Sequence, residues 1–382
     1  FQALLKRKTN SIIVDTGDFA TGHPFYSAFE GLPEKRLISL IYDVVAPGNH
    51  GFQDLLELKQ QRFPVVNANI FLQDEHLFRP YHITNRGGCK IAFIGIMSLA
   101  AFYSIEAKQR NTYTIKEPVE ILKKLIPWLS TQVDKVILLS HSGFEDDIRL
   151  ASILSGIDII LSSHCHSTHY HEIVNGIVIA KAYELGKGFG ELVLTPTGPL
   201  KVTTYNANRV QSSILAQSLD FLKKYLYDYQ QIYTKHLFTL PDGFGDTYGD
   251  RRSLCQYLVD MIRKENDVEC CFINYHCLRS VLSSAIITEE ILSKCIPFNT
   301  KLVLLDIERD ELCSLLRGLP ASITDYLCIS SAIKECQTKV RVITTDYLAE
   351  NYLRYPKPSS FSEETYLRNF VIDHFTKTEE LL

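Results

Sequence analysis

The sequence predicts an α/β protein of two domains joined by a long helix, and three observations carry that prediction. First, 382 residues with 46% hydrophobic and 22% charged side chains exceed what one ordinary core holds and are too apolar for a disordered chain. Second, the first half alternates short apolar runs with helically spaced ones, the pattern of a layered α/β domain. Third, Val210, Ile214, Leu215, Leu222, Tyr225, Leu226, Tyr229, Ile232 and Tyr233 fall mostly on one helical face with no Gly or Pro between them.

In chain order, the apolar runs at 11–14, 43–46, 65–68, 91–97, 135–140 and 158–162 read as buried strands. Between them, 55–62 and 119–131 carry helical spacing, the latter with Pro118 at a first-turn position. From Val174 to Thr204 the pattern becomes strands with Gly and Pro turns, which closes a first domain at residues 1–205. The joining helix takes 206–238. After it, the Pro241-Asp-Gly-Phe-Gly-Asp turn cluster opens a second α/β domain within 239–382.

Composition narrows the function. Forty Lys+Arg against 44 Asp+Glu give a net charge of −4, so no global basic excess argues for a nucleic-acid polymer or an acidic membrane surface. The longest apolar run, Ile91 to Tyr103, falls short of the ~20 residues that span a bilayer. Ten cysteines without a C-x-x-C pair read as buried free thiols rather than a disulfide framework or a zinc knuckle. The chain opens on Phe1 without a charged-then-apolar leader, and a piece upstream is expected.

The chemistry gathers at strand ends, where an α/β domain presents side chains to the crevice above its sheet. Val14-Asp15-Thr16-Gly17-Asp18 ends an apolar strand on a Gly turn and a carboxylate. Val45-Ala46-Pro47-Gly48-Asn49-His50 ends another on a carboxamide and an imidazole. Leu139-Ser140-His141 does so with an imidazole, and Ser162-Ser163-His164-Cys165-His166 with two spaced by two, a spacing that puts both on one side of an extended segment. Five of the twelve histidines lie between His141 and His171. One carboxylate, one carboxamide and three imidazoles are mixed N/O ligands suited to Zn, Mn, Fe or Ni, without the thiolates of a structural zinc site.

The ordered set Asp, Asn-His, His, His-x-His resembles the calcineurin-like metallophosphoesterase superfamily and, within it, the 5'-nucleotidase family. The resemblance extends through Gly51 to Leu58 and Asn67-Ala68-Asn69-Ile70, and through Phe144-Glu-Asp-Asp147 to the histidine pair. It reaches the second half in Phe272-Ile-Asn274-Tyr-His-Cys-Leu-Arg279, Pro297-Phe298-Asn299 and Thr344-Thr-Asp-Tyr347.

That resemblance implies a four-layer α/β/β/α catalytic domain, a smaller α/β substrate domain, and hydrolysis of nucleotide phosphoesters with two divalent ions (Zn, Mn, Co or similar). It makes Asp18 the bridging ligand, puts Asn49, His141 and His164 on one ion and His166 on the other, and makes His50 the group that protonates the leaving alkoxide. Asn274 and Arg279 would hold polar parts of the nucleotide, with Phe298 and Tyr347 sandwiching its base. Relatives are mostly exported, which implies a periplasmic, cell-surface or secreted location.

Departures from the family pattern qualify the expectation. The family's first motif, Asp-x-His, has no match before Asp18 and is expected upstream of Phe1. Gln53 replaces the Asp that orients the catalytic imidazole, with Asp54 beside it. Ser163 replaces a glycine, His276-Cys277 replaces Gly-Gly, Leu353 replaces an Asp, and the family's early substrate Arg falls at about Asp250, one place from Arg251. The alternatives are a weakened paralogue that binds nucleotide or metal without efficient turnover, or a hydrolase of cyclic nucleotides, dinucleotides or nucleotide sugars.

Overall fold

The computed structural model describes residues 2–9, 11–21, 23–60, 63–184, 186–194, 201–206, 219–282, 284–330, 338–353 and 365–379. Their contacts divide the chain into two compact units, one holding Phe1–Thr21 and Phe29–Lys224, the other Gly22–Ala28 and Tyr225–Leu382.

The first unit is organised by a six-stranded mixed sheet. Its strands are β3 (Tyr81–Arg86), β4 (Cys89–Met97), β5 (Lys135–His141), β6 (Ile159–Ser162), β7 (His171–Val174) and β8 (Ile177–Lys181), in the order β7-β8-β6-β5-β4-β3. The four central strands are parallel and the two edges antiparallel. Side chains alternate between two cores with the two-residue period of a strand. Ala92, Ile94 and Ile96 on β4, with Val136 and Leu138 on β5, join the core that includes Leu122, Ile126 and Leu129 of helix α3 (Pro118–Leu129) and Leu150 and Ala151 of α4 (Phe144–Ile153). Ile91, Phe93, Ile137 and Leu139 face the other way, into a core shared with Val44, Ala46 and Val66. That second core includes a parallel pair, β1 (Val14–Asp15) on β2 (Val44–Val45).

Of the six runs expected as buried strands, 91–97, 135–140 and 158–162 are carried by β4, β5 and β6, whereas 11–14 and 43–46 contribute only Val14 and Val44–Val45 to the two-residue strands β1 and β2, and 65–68 only isolated bridges at Val65 and Val66. Helices α1 (Leu32–Ile41) and α2 (Phe52–Gln60) bury Ile38, Ile41, Leu55 and Leu58. Gly95 on β4 is required by close approach, because a Cβ there would sit 1.9 Å from the Val66 carbonyl oxygen.

Within the segment expected as a joining helix, Phe221–Tyr233 is helical (α5), and residues 207–218 lie outside the described residues. The helix ends where its periodicity gives way to alternation. His236–Thr239 forms a strand, β11, with Phe238 buried and its backbone paired with β13 (Ile286–Thr288). In the second unit, His23 and Phe25 place their rings 6.3 and 5.4 Å from that of Tyr229.

The second unit carries a four-stranded sheet in the order β14-β16-β12-β15, from β12 (Cys270–Asn274), β14 (Leu302–Glu308), β15 (Leu327–Ile329) and β16 (Lys339–Thr345). Helix α6 (Arg251–Glu265) lays Leu254, Leu258, Met261 and Ile262 into its core, the one-sided spacing of an amphipathic helix. The last helix, α9 (Leu367–Glu379), does the same with Leu367, Val371 and Phe375. Among the described residues, no helix is long and apolar enough to cross a membrane.

Candidate functional site

In the first unit, Asp18, Asn49, His141 and His164 converge. The ligating atoms of Asp18, His141 and His164 all lie within 4.8 Å of one another. His141 Nε2 is 3.3 Å from Asp18 Oδ2 and 3.1 Å from Asn49 Oδ1, and His164 Nδ1 is 3.1 Å from that same amide oxygen. His141 is the last residue of β5 and is fully buried, while His164 follows β6 by two residues. Strand ends therefore place both imidazoles of this candidate ligand group.

Two backbone features make the convergence possible. Asp18 and His164 both have left-handed φ, 64° and 76°, a conformation that side-chain-bearing residues rarely adopt and that clusters at functional sites. Gly17 and Gly48 leave the space between them. A Cβ on Gly48 would lie 2.2 Å from Asp18 Oδ1 and 2.7 Å from His141 Cε1, and one on Gly17 would lie 2.7 Å from His141 Nδ1.

The electrostatics of the cluster suit a cation. His141 Nδ1 lies 2.8 Å from the Thr16 carbonyl oxygen and 2.9 Å from Ser163 Oγ, so the neutral ring carries its proton on Nδ1 and presents Nε2 as a lone pair. That lone pair faces a carboxylate oxygen and an amide oxygen, acceptors that a divalent ion would bridge. In the metal-free protein, a proton serves instead. Burial disfavours both charged forms, but attraction between Asp18 and His141 outweighs it, raising the imidazole and holding the Asp18 carboxyl at about 2. Burial and the repulsion of His141 push His164 down to about 4, which keeps it a neutral ligand at physiological pH.

Behind the ligands, burial holds the Asp147 carboxyl at about 7, against the Ser140 hydroxyl that donates to it across 2.6 Å. Burial also raises Asp15 to about 6, although Gly17 N–H donates to its Oδ1.

His50 stands beside this cluster. Its backbone N–H donates to Asp18 Oδ1 across 2.8 Å, and its Nδ1 lies 2.9 Å from Thr21 Oγ1. Gln53 is exposed on α2, whereas Asp54 is buried and sits 3.3 Å from Lys35 Nζ. Thr21 is a partner that the sequence reading missed, because a hydroxyl in a loop carries no spacing signal.

His166 does not join the cluster. The alternation expected of His164 and His166 assumed an extended segment, and the left-handed φ of His164 breaks it. His166 is largely exposed and places Nδ1 2.6 Å from Glu184 Oε2. Such a carboxylate–imidazole pair leaves Nε2 as the ring's open ligating atom. Lys181 Nζ, buried, donates to the Ser167 carbonyl across 2.5 Å and anchors the same loop. His169 stacks on Phe144 at 5.7 Å between centroids, and His171 opens β7.

In the second unit, register gathers the expected substrate residues at one end of the sheet. Strands β12 and β16 run parallel, with Cys271 opposite Ile343, and end at Asn274 and Thr345. Antiparallel β14 begins there, with Leu302 opposite Thr345. Phe298 precedes β14 and Tyr347 follows β16, so both lie at this end. The Arg279 guanidinium sits 5.1 Å from the centroid of Phe298, a cation–π contact. Tyr347 is 40% exposed, with its hydroxyl 3.3 Å from that of Tyr352.

Asn274 is buried, and its Oδ1 accepts the His276 N–H across 2.8 Å, capping the 3₁₀ turn Tyr275–Cys277. Asp250 caps α6 through the N–H groups of Arg252 and Ser253, while Arg251 reaches the Leu278 carbonyl at 3.4 Å and lies over Tyr275. Leu353 is a buried core residue.

Comparison with known proteins agrees with this architecture. Residues 1–168 match the calcineurin-like phosphoesterase family. The rat 5'-nucleotidase is 28% identical over 183 residues, 44% of this chain and 31% of that protein, so the matched part spans about a third of its length. A snake venom 5'-nucleotidase from Naja atra is 25% identical over 360 residues, 79% of this chain and 67% of the relative. The structure of a 5'-nucleotidase precursor from Thermus thermophilus superposes with a TM-score of 0.78 at 19% identity, covering 99% of this chain and 90% of that one, and so shares the fold. Residues 1–168 thus form a calcineurin-like phosphoesterase domain, in a chain whose homologues include 5'-nucleotidases.

Proposed function

We propose that the chain is a metal-dependent phosphoester hydrolase acting on nucleotides. The observation that carries the reading is the convergence of Asp18, Asn49, His141 and His164, whose potential ligating atoms face one another at 3.1–3.3 Å. These four residues would hold one divalent ion, and Asp18 and His166 would be the residues to serve a second. When bound, the ions supply positive charge that offsets the charge on the phosphoryl oxygens and makes water an effective nucleophile at neutral pH.

The side chains of this chain do the rest. His50, positioned by its own N–H on Asp18 and by Thr21 at Nδ1, presents Nε2 to the scissile phosphate and protonates the departing alkoxide. Arg279, over Phe298, supplies a planar fork of donors, while Phe298 and Tyr347 offer π-faces to a nucleobase. The exposed His276 and half-buried Cys277, where the resemblance leads one to expect glycines, narrow the approach to this end of the sheet, so discrimination among nucleotides lies in the second unit. An extracellular or periplasmic setting accords with the snake venom relative.

The test is phosphate release from nucleoside monophosphates by the full chain with Mn, Zn or Co added, beside Asp18→Ala and His50→Ala. Metal-dependent release is expected, and His50→Ala should lower kcat by about 10²–10⁴ while metal still binds. Wild-type release no greater than that of Asp18→Ala would sink the reading.

A further inference from the structure

One end of the second-unit sheet carries more rings than a single base clamp uses. All four strands begin or finish there. Parallel β12 and β16 end at Asn274 and Thr345, and antiparallel β14 and β15 start beside them, with Leu302 opposite Thr345 and Leu327 opposite Asn274. Each strand end bears an aromatic side chain. Phe298 precedes β14 and Tyr347 follows β16, whereas Tyr275 and His276 follow β12 and Tyr326 precedes β15.

The second set of rings is packed together. The His276 ring lies 4.0 Å from that of Tyr326, Tyr275 meets Tyr326 edge-on at 5.3 Å, and the Tyr275 N–H donates to the Tyr326 carbonyl across 2.9 Å. His276 is exposed and the two tyrosines are half-buried, so the imidazole is the outer ring of the group. Each set has its own guanidinium. Arg279 sits 5.1 Å from the centroid of Phe298 and Arg251 5.7 Å from that of Tyr275, and Arg251 Nη1 reaches the carbonyl of Leu278, the residue before Arg279, at 3.4 Å. Neighbouring strands lie about 4.8 Å apart, so in the order β14-β16-β12-β15 the two sets are centred about 10 Å from each other.

We propose that His276, backed by Tyr326, is a second ring subsite, and that the nucleotide this unit selects is a dinucleotide, two nucleosides joined through a phosphate bridge. One base lies between Phe298 and Tyr347 and the other on His276, while Arg251 and Arg279 donate to the anionic bridge between them. A phosphate bridge with a ribose on either side covers the distance between the two ring sets. A mononucleotide fills one set and leaves the other, with its guanidinium, unused. Every base has a π-face, so the subsite selects for the presence of a second ring and not for one particular base. The inference rests on the nucleotide reading above and on the base site at Phe298 and Tyr347 within it.

The experiment is calorimetry on the full chain, with a chelator present to prevent turnover, comparing adenosine monophosphate with diadenosine diphosphate, two ligands of similar charge. The second stack should make diadenosine diphosphate bind about 5- to 150-fold more tightly. His276→Gly should bring the two ligands to within about twofold of each other, the statistical gain of a second identical base, and His276→Phe should keep the preference because it keeps a ring. Equal affinities in the wild-type chain, a preference that survives in His276→Gly, or one that is lost in His276→Phe overturns the second subsite and leaves the nucleotide reading standing. Binding of neither ligand overturns the assignment of base recognition to this unit, and the inference with it.

Discussion

The two units treat their functional side chains differently. In the first, ligands stand at the ends of buried strands, and the departures from the family pattern are absorbed into the scaffold. Ser163 has no left-handed φ to strain it, and its hydroxyl lies within 2.9 Å of Thr16 O, Ser140 O and His141 Nδ1. In the second, the expected groups sit at or just beyond the strand ends, on turns and loops, and the departures change what is presented: Asn274 spends its amide oxygen on the turn that follows it and Leu353 lies in the core. Under the proposed function, chemistry that needs fixed ligand geometry is tied to the sheet, and chemistry that selects a substrate is left where substitution costs little stability.

The largest expected effect probes the sealed layer under the ligands. Asp147 is fully buried, and its carboxyl is raised to about 7 by that burial. The folded state therefore binds a proton that the unfolded state has released, so the stability this proton provides is present below about pH 4 and is lost as pH rises to about 7. The full loss is about 4 kcal/mol. Denaturant unfolding of the metal-free protein across this range should show it, and Asp147→Asn should remove that component of the slope. An unchanged slope in the variant would mean that Asp147 does not titrate there.

Next comes Gly48→Ala. Its Cβ collides with Asp18 Oδ1, Asp18 N and His141 Cε1, none of which has a free direction to move, so metal affinity should fall about 10- to 100-fold with about 1–3 kcal/mol of stability. Metal titration by calorimetry checks it. Wild-type affinity would show that the strand ends are looser than the first unit's geometry implies.

These expectations explain which parts were legible in the sequence. A buried strand that ends on Gly-Asp, Gly-Asn-His or Ser-His announces itself locally, because apolar alternation and the polar residue that ends it lie within a few positions. The fold followed from the same periodicity. What escaped depended on backbone conformation or on partners far along the chain. The φ of His164 decides where His166 points, Glu184 reaches His166 from the turn after β8, and Thr21 reaches His50 across 29 residues. Strand β11 escaped, falling in the segment assigned to the joining helix but beyond its last helically spaced residue, because its pairing with β13 lies about fifty residues away. The assignment of residues 22–28 to the second unit likewise rests on contacts that no local pattern encodes.

In the second unit, Phe298→Ala removes one π-face and the ring under Arg279. Stacking contributes about 1–3 kcal/mol per base, so KM for a nucleoside monophosphate should rise roughly 5- to 150-fold with kcat for a small aryl phosphate unchanged. Equal losses on both substrates would place Phe298 in the fold rather than in recognition. The contrast with Gly48→Ala separates the two regions, since one variant loses metal and the other loses only the nucleotide.

The smallest effect belongs to Ser163→Ala. The substitution keeps a backbone that an alanine tolerates and removes one hydroxyl, which contributes about 0.5–1.5 kcal/mol through its hydrogen bonds. His141 keeps Thr16 O at 2.8 Å, so its tautomer survives and metal affinity should weaken only about 2- to 10-fold. Ser163→Gly tests the same hydroxyl with added backbone freedom. If the hydroxyl matters, both variants weaken metal binding to a similar degree. If Ser163→Gly alone weakens it, the serine acts by stiffening the approach to His164, and the first unit's tolerance of departures comes from backbone restraint instead of from a new hydrogen bond.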